Sequence, residues 1–319
     1  MSAPCPLGRA IARYLAHKRA LGHSYHCEAG VLHRLHRGLR QQRRRDLDAP
    51  GFERWLHGLR DRHPNTRRKW HQIVRNFCLY RRRDEPHSFV PSDNYAKRQP
   101  HITPVIVEPA QVARMLALTA TLAPSPNSPL RGPVMRMALV LLYTAGLRLG
   151  ELLRLTLGDV SEDGALLRIR ESKFHKSRRV PLSTSASDEL RHFIRRRARV
   201  FPTAPTAPLL CSRRSREGYS HQGMQGALRG LFAAADVGDA YGHRPRVHDL
   251  RHSFAVQALI RWFRTGADVQ SYLPKLALFM GHVSIESTAH YLHWIPAVRA
   301  LASARFERHF GQLVAGGAR

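Results

Sequence analysis

Apolar positions recur every three or four residues through the first eighty positions of the chain. In LGRAIARYLAHKRALG, Leu7, Ile11, Tyr14 and Leu15 fall on one helical face, and Gly22 can end the element. SYHCEAGVLHRLHRGLRQ repeats the spacing with Val31, Leu32, Leu35 and Leu39. PGFERWLHGLRD predicts a short third helix with Trp55, Leu56 and Leu59 inward. NTRRKWHQIVRNFCLYRRR predicts a fourth, striped by Trp70, Ile73, Val74, Phe77 and Tyr80. Arg67, Arg68, Lys69 and Arg75 lie off that stripe, which suits either a solvated face or a surface that follows DNA phosphates.

From Asp84 to Pro104 the periodicity fails and four prolines appear, as in a linker. A second pattern then starts with VEPAQVARMLALT, where Pro109 suits a first helical turn. APSPNSP reads as a loop, and PVMRMALVLLYTAG as a buried helix stopped by Gly146. ALLRIRES and SRRVPL are strand-like with KFHK between them, so they predict a hairpin. The pattern predicts a mainly α chain with one small β-hairpin. It divides into a helical domain over 1–90, a linker over 91–104 and a larger domain over 105–319. In the tail of that domain, Phe306, Phe310 and Leu313 are spaced as a helical stripe.

Charge changes this picture. Lys and Arg number 52 against 23 Asp and Glu, a net charge of +29, which implies a polyanionic partner such as nucleic acid. Forty-six of those basic residues are arginine, so coding bias can account for part of the excess. Cys5, Cys27, Cys78 and Cys211 form no CxxC pair, which argues against a zinc ribbon and for a reduced, cytoplasmic chain. The first twenty residues contain no apolar signal core, and the apolar stretch at MALVLLYTAG is too short to cross a bilayer.

The candidate chemistry lies in four stretches. HDLRHSFAVQAL places His248 and Arg251 three apart, on one helical face. That spacing alone says little, since the chain holds five HxxR matches, but this one opens an apolar helix. LYTAGLRLGELLRL puts Arg148 just past a glycine stop, with Glu151 one turn on to orient it. ESKFHKSRRVPL holds Lys173 and Lys176, and GHVSIESTAHYLH holds His282 and Tyr291. His248 with His252, or His290 with His293, has a spacing that can bind zinc. No HExxH or His–Cys cluster supports such a site, so neither a metal nor a cofactor is expected.

Taken in order, TAGLRLGELL, SKFHKSRRVPL, HDLRHSFA and GHVSIESTAHYLH resemble the tyrosine recombinase family of phage integrases and chromosome-dimer recombinases. The family pattern is Arg, Lys, His-x-x-Arg, His or Trp, then Tyr. It falls here on Arg148, Lys173, His248 with Arg251, His282 and Tyr291. The resemblance favours Lys173 over its neighbour Lys176, and the helical N-terminal region is similar to the family's core-binding domain. Between Arg251 and His282 the chain is longer than in many members, which resembles transposon-linked ones.

The resemblance implies a site-specific recombinase that clamps double-stranded DNA at paired sites, as a homo-oligomer and in its active form a tetramer. It would exchange strands through a 3′-phosphotyrosyl intermediate and a Holliday junction, giving integration or excision. A type IB topoisomerase-like activity, or a regulatory DNA-binding protein with a vestigial site, are the alternatives. The C-terminal stripe would fold back on its own domain or dock on a neighbouring protomer.

The residue types suit this chemistry in their own right. Attack on a phosphodiester builds negative charge, which fixed guanidiniums at Arg148 and Arg251 can stabilise, with His282 as a further donor. Tyrosine, with a pKa of about 10, needs a base or cationic surroundings, and His248 is the candidate base. The leaving 5′-oxygen needs a proton, which lysine can give and arginine cannot.

Overall fold

The computed structural model describes residues 6–99, 103–170, 177–213 and 218–281, together with Thr288 and Tyr291. Lys173, Lys176, His282, His290 and the tail stripe Phe306, Phe310 and Leu313 lie outside the described residues. The chain divides into two compact units, 1–102 and 103–319.

The first unit is built from α1 (Pro6–Ala20), α2 (His26–Gln41), α3 (Ala49–His57) and α4 (Pro64–Arg81). Its core joins the predicted stripes: Leu7, Ile11 and Tyr14 of α1, Leu32, Leu35 and Leu39 of α2, Trp55 of α3, and Val74 and Phe77 of α4. Helix starts follow local chemistry. Asp48 accepts the Gly51 amide at 2.8 Å, with Pro50 in the first turn of α3, and Pro64 opens α4. The last turn of α4 also buries Arg81, whose guanidinium donates to Asp46 at 2.5 and 2.6 Å and to Glu85 at 2.7 Å. The segment after α4 runs back along it. Ser92 O meets the His71 ring at 2.9 Å, Ala96 O accepts from Arg68 at 3.2 Å, and Asn65 and Gln99 bond to each other.

The second unit contains α5 (Pro109–Thr119), α6 (Arg131–Thr144), α7 (Leu149–Arg154), a 3₁₀ turn (Leu157–Asp159), β1 (Leu166–Ile169) and β2 (Arg178–Pro181). These are followed by α8 (Thr184–Ala198), α9 (His221–Ala234), α10 (Asp249–Arg264) and α11 (Val269–Met280). Helix α6 is apolar on every side and packs against α5, α7, α8 and α10, so it forms the axis of the unit. The strands pair antiparallel, with Leu166 opposite Pro181 and Ile169 opposite Arg178. Helix α9 has no counterpart in the pattern reading, because Gly223, Gly226 and Gly230 dilute its apolar stripe of Met224, Leu228, Leu231 and Phe232. Helix α11 runs as one element through Pro274. No helix of the described residues is long and apolar enough to cross a membrane.

Candidate active site

Arg148 stands at the entrance to α7. Gly146, in the left-handed region at φ 59°, turns the chain out of α6, and a Cβ there would lie 2.5 Å from the Phe254 ring of α10. The turn brings Arg148 beside Glu151. The backbone amide of Arg148 donates to Glu151 Oε2 at 3.0 Å, and its guanidinium donates to Oε1 at 2.6 Å. Glu151 is only 3% exposed and also takes two bonds from Arg178 of β2, at 3.1 and 2.9 Å. Burial alone would raise the Glu151 carboxyl. The hydrogen bonds from Arg178 and from the Arg148 backbone outweigh that and hold it down to about 2.

Arg251 rises from the first turns of α10 and is 1% exposed. Its hydrogen bonds among the described residues go to carbonyl oxygens, Gly146 at 2.5 Å and Met280 at 2.5 Å. Burial, then the nearby Arg148 cation, pushes its pKa down to about 9. A buried cation in that state is well matched to an incoming anion.

Tyr291 is 3% exposed and packs with Ala255, Val256 and Leu259 of α10 and Leu273 and Met280 of α11. Burial raises its phenol, while Arg251 and Arg148 act in the opposite direction. Its oxygen lies 2.8 Å from Nδ1 of His252. The His252 ring meets that of His248 edge-on, with centroids 4.7 Å apart. Burial lowers both imidazoles, and it brings His252 to about 4, so His252 is neutral at pH 7. A neutral His252 can accept the phenolic proton or donate to the phenolic oxygen, depending on its tautomer.

Four of the expected site residues, Arg148, His248, Arg251 and Tyr291, thus belong to one electrostatic cluster. Two residues join it that the sequence reading did not assign to the reaction. His252 lies one turn beyond His248; the spacing that suits a zinc pair also puts both rings on one helical face. Arg178, within a strand-like stretch, lies two positions before the buried Val180 and so shares its inward face. Among the described residues no group of three His, Cys, Asp or Glu side chains converges as metal ligands do.

The α4 cations are placed in the first unit. Arg68 stacks 4.9 Å over the Tyr95 ring besides bonding Ala96 O, and Arg75 approaches Asp93 at 3.9 Å. Lys69 is exposed and Arg67 half-buried. Arg68 and Arg75 therefore face the returning segment as well as solvent.

Residues 107–296 match the model of the phage integrase family. The chain belongs to the phage integrase family. Among its relatives, "Putative integrase/recombinase y4rE" of Sinorhizobium fredii (strain NBRC 101917 / NGR234) is 30% identical over 94% of this chain and 95% of its own length. "Tyrosine recombinase XerD" of Ralstonia nicotianae is 29% identical over 61% of this chain and 58% of its own length. Among solved structures, the Tn1549 transposon integrase with a circular intermediate DNA has a TM-score of 0.64 at 18% identity, covering 96% of this chain and all of that one. A lambda integrase dimer bound to a core site has a TM-score of 0.59 at 16% identity, over 89% of this chain and 94% of that one. These two likenesses concern the fold. As a member of the family, this integrase is a tyrosine-type site-specific recombinase.

Proposed function

We propose that this integrase cuts DNA with Tyr291 as nucleophile. In this reading the tyrosine oxygen bonds to phosphorus and the bond to the 5′-oxygen breaks. The DNA 3′ end is left as a phosphotyrosyl ester, and the leaving 5′-oxygen takes up a proton from Lys173. The phenolic proton passes to the His252–His248 pair. Arg148, Arg251 and His282 hold the non-bridging oxygens, where charge builds in the transition state. The ester conserves the bond energy, so a second 5′-hydroxyl can reverse the step on another strand and form a Holliday junction. Paired sites and a tetramer follow from that exchange, and Arg67, Arg68, Lys69 and Arg75 are offered as phosphate contacts of the first unit.

The observation that carries the reading is the meeting of a buried, carbonyl-held Arg251 with Arg148 and the Tyr291–His252 pair. Such a cluster has surplus positive charge beside a nucleophile, as anionic phosphate requires.

The test uses a nicked duplex of the sequence that the protein selects from a randomised pool. Wild type should give a protein–DNA adduct that survives boiling in detergent, and Tyr291→Phe should bind equally and give none. Lys173→Ala should cleave slowly with an oxygen leaving group and recover with sulfur at the 5′-bridging position, since a thiolate needs no proton. An adduct in the Phe variant, or sulfur rescue of Lys176→Ala in place of Lys173→Ala, overturns the respective assignment.

A further inference from the structure

Three guanidiniums meet the end of α11. Arg178 Nε donates to Phe279 O at 2.8 Å, Arg251 Nη2 to Met280 O at 2.5 Å, and Arg148 Nη2 to Gly281 O at 3.0 Å. Carbonyls at a helix C-terminus lack intrahelical amide partners and sit at the negative end of the helix dipole, so cations suit them. The three arginines come from β2, α10 and the α6–α7 turn, and thereby tie three parts of the unit to one helix end. Gly281 closes α11 at φ 67°, and a Cβ there would lie 2.8 Å from Arg178 Nη1. Arg178 therefore packs directly beneath the residue that precedes His282 in sequence.

Arg178 also shares a carboxylate with Arg148. Glu151 takes Oε1 and Oε2 bonds from Arg178 and an Oε1 bond from Arg148. Side-chain exposure falls from 24% at Arg148 to 8% at Arg178 and 2% at Glu151. The bidentate pair is thus the buried one, and Arg148 is the partner that reaches outward. One carboxylate and two guanidiniums leave one net positive charge. Without Arg178, Arg148 and Glu151 would form a neutral pair.

We propose that Arg178 is a positioning residue for strand cleavage: it neutralises Glu151 and pins the end of α11, so the charge of Arg148 stays available to the scissile phosphate. The proposal rests on the phosphotyrosyl reading above. Arg178 opens β2, five positions after Lys173, so it also anchors one arm of the hairpin whose connecting segment holds that lysine.

A charge-balancing role and a merely structural one differ in a double variant. The measurements are the dissociation constant for the selected duplex and the single-turnover rate of adduct formation, beside the melting curve of the full chain. Arg178→Met should bind the duplex like wild type and cleave about a hundredfold more slowly, as when one anion-stabilising donor is lost. Adding Glu151→Gln removes the carboxylate, returns the net charge to Arg148, and should recover about tenfold of that loss or more. A double variant no faster than Arg178→Met overturns the proposal, and so does an Arg178→Met that cleaves like wild type. Should Arg178→Met fail to melt cooperatively, the double variant is compared with wild type directly, because a neutral Met–Gln pair is tolerated where a buried carboxylate that has lost its bidentate partner is not. Cleavage then within about tenfold of wild type supports the proposal, and a loss beyond about a hundredfold overturns it. If wild type itself forms no adduct, the phosphotyrosyl reading fails and takes the inference with it. Adduct formation by wild type with no effect of Arg178→Met sinks the inference alone.

Discussion

Arg251 carries its charge into the interior with carbonyl oxygens as its hydrogen-bond partners, and His252 sits beside it in sequence with a depressed pKa. Both facts have the same origin: burial penalises cations, and Arg148, Arg178 and Arg251 crowd positive charge together. The histidine has a measurable consequence. Its folded pKa of about 4 lies below its ordinary 6.5, so the unfolded chain binds more protons between those values. The stability it contributes is complete above pH 6.5 and is lost as pH falls towards 4, by about 3 kcal/mol at most. His36, His71 and His248 shift in the same direction and so act in the same sense below pH 6.5. Glu151, held at about 2, acts lower, between roughly pH 4.5 and 2. His252→Gln should therefore flatten the dependence of melting temperature on pH between 6.5 and 4, and leave the Glu151 dependence below pH 4.5 in place. It should also slow adduct formation at neutral pH. An unchanged slope between pH 6.5 and 4 would show that His252 titrates normally.

At the scale of elements, the site depends on where helices end more than on what they contain. Helix α6 ends at Thr144, the chain reverses at Gly146, and that reversal both presents Arg148 and offers the Gly146 carbonyl to Arg251. The turn is locked by α10, since the Phe254 ring occupies the space of a Gly146 side chain. Gly146→Ala would combine a left-handed backbone cost of about 1–2 kcal/mol with displacement of that ring. We expect the variant to melt several degrees lower and to lose cleavage more than DNA binding, because the carbonyl that orients Arg251 moves. Circular dichroism melting beside duplex titration and adduct assays checks this, and a variant that melts lower with full cleavage would refute the coupling. Helix α11 plays the corresponding part on the other side, where its last carbonyls are satisfied by arginines instead of by amides.

The whole molecule has 29 more positive than negative formal charges, spread over both units. If DNA phosphates neutralise six to ten of its basic groups, counterion release makes affinity fall about 10³–10⁵-fold between 50 and 200 mM salt. Titration of the selected duplex over that range tests the size of the contact, and a flat response would exclude an extensive phosphate footprint. Removing Arg68 and Arg75 together should reduce the slope only modestly, since both also hold the segment from Asp93 to Ala96.

Periodicity alone determined the helices of the first unit, the buried α6 and the hairpin, because each depends on local spacing of apolar residues and on turn residues nearby. A family pattern also lives in sequence, and it offers Arg148, Lys173, His248, Arg251, His282 and Tyr291, in that order, as the candidate site. Glycine dilution hid α9, whose stripe becomes clear only once Met224, Leu228, Leu231 and Phe232 have a core to enter. The partnerships were decided by tertiary structure. Whether His248 or His252 faces Tyr291 depends on how α10 is rotated against the tyrosine segment, which spacing along one helix cannot state. Arg178 reads as one arginine among 46 until the hairpin packs against α7 and α11. Only then does burial, which makes an unpaired charge costly, oblige it to find Glu151 and the end of a helix.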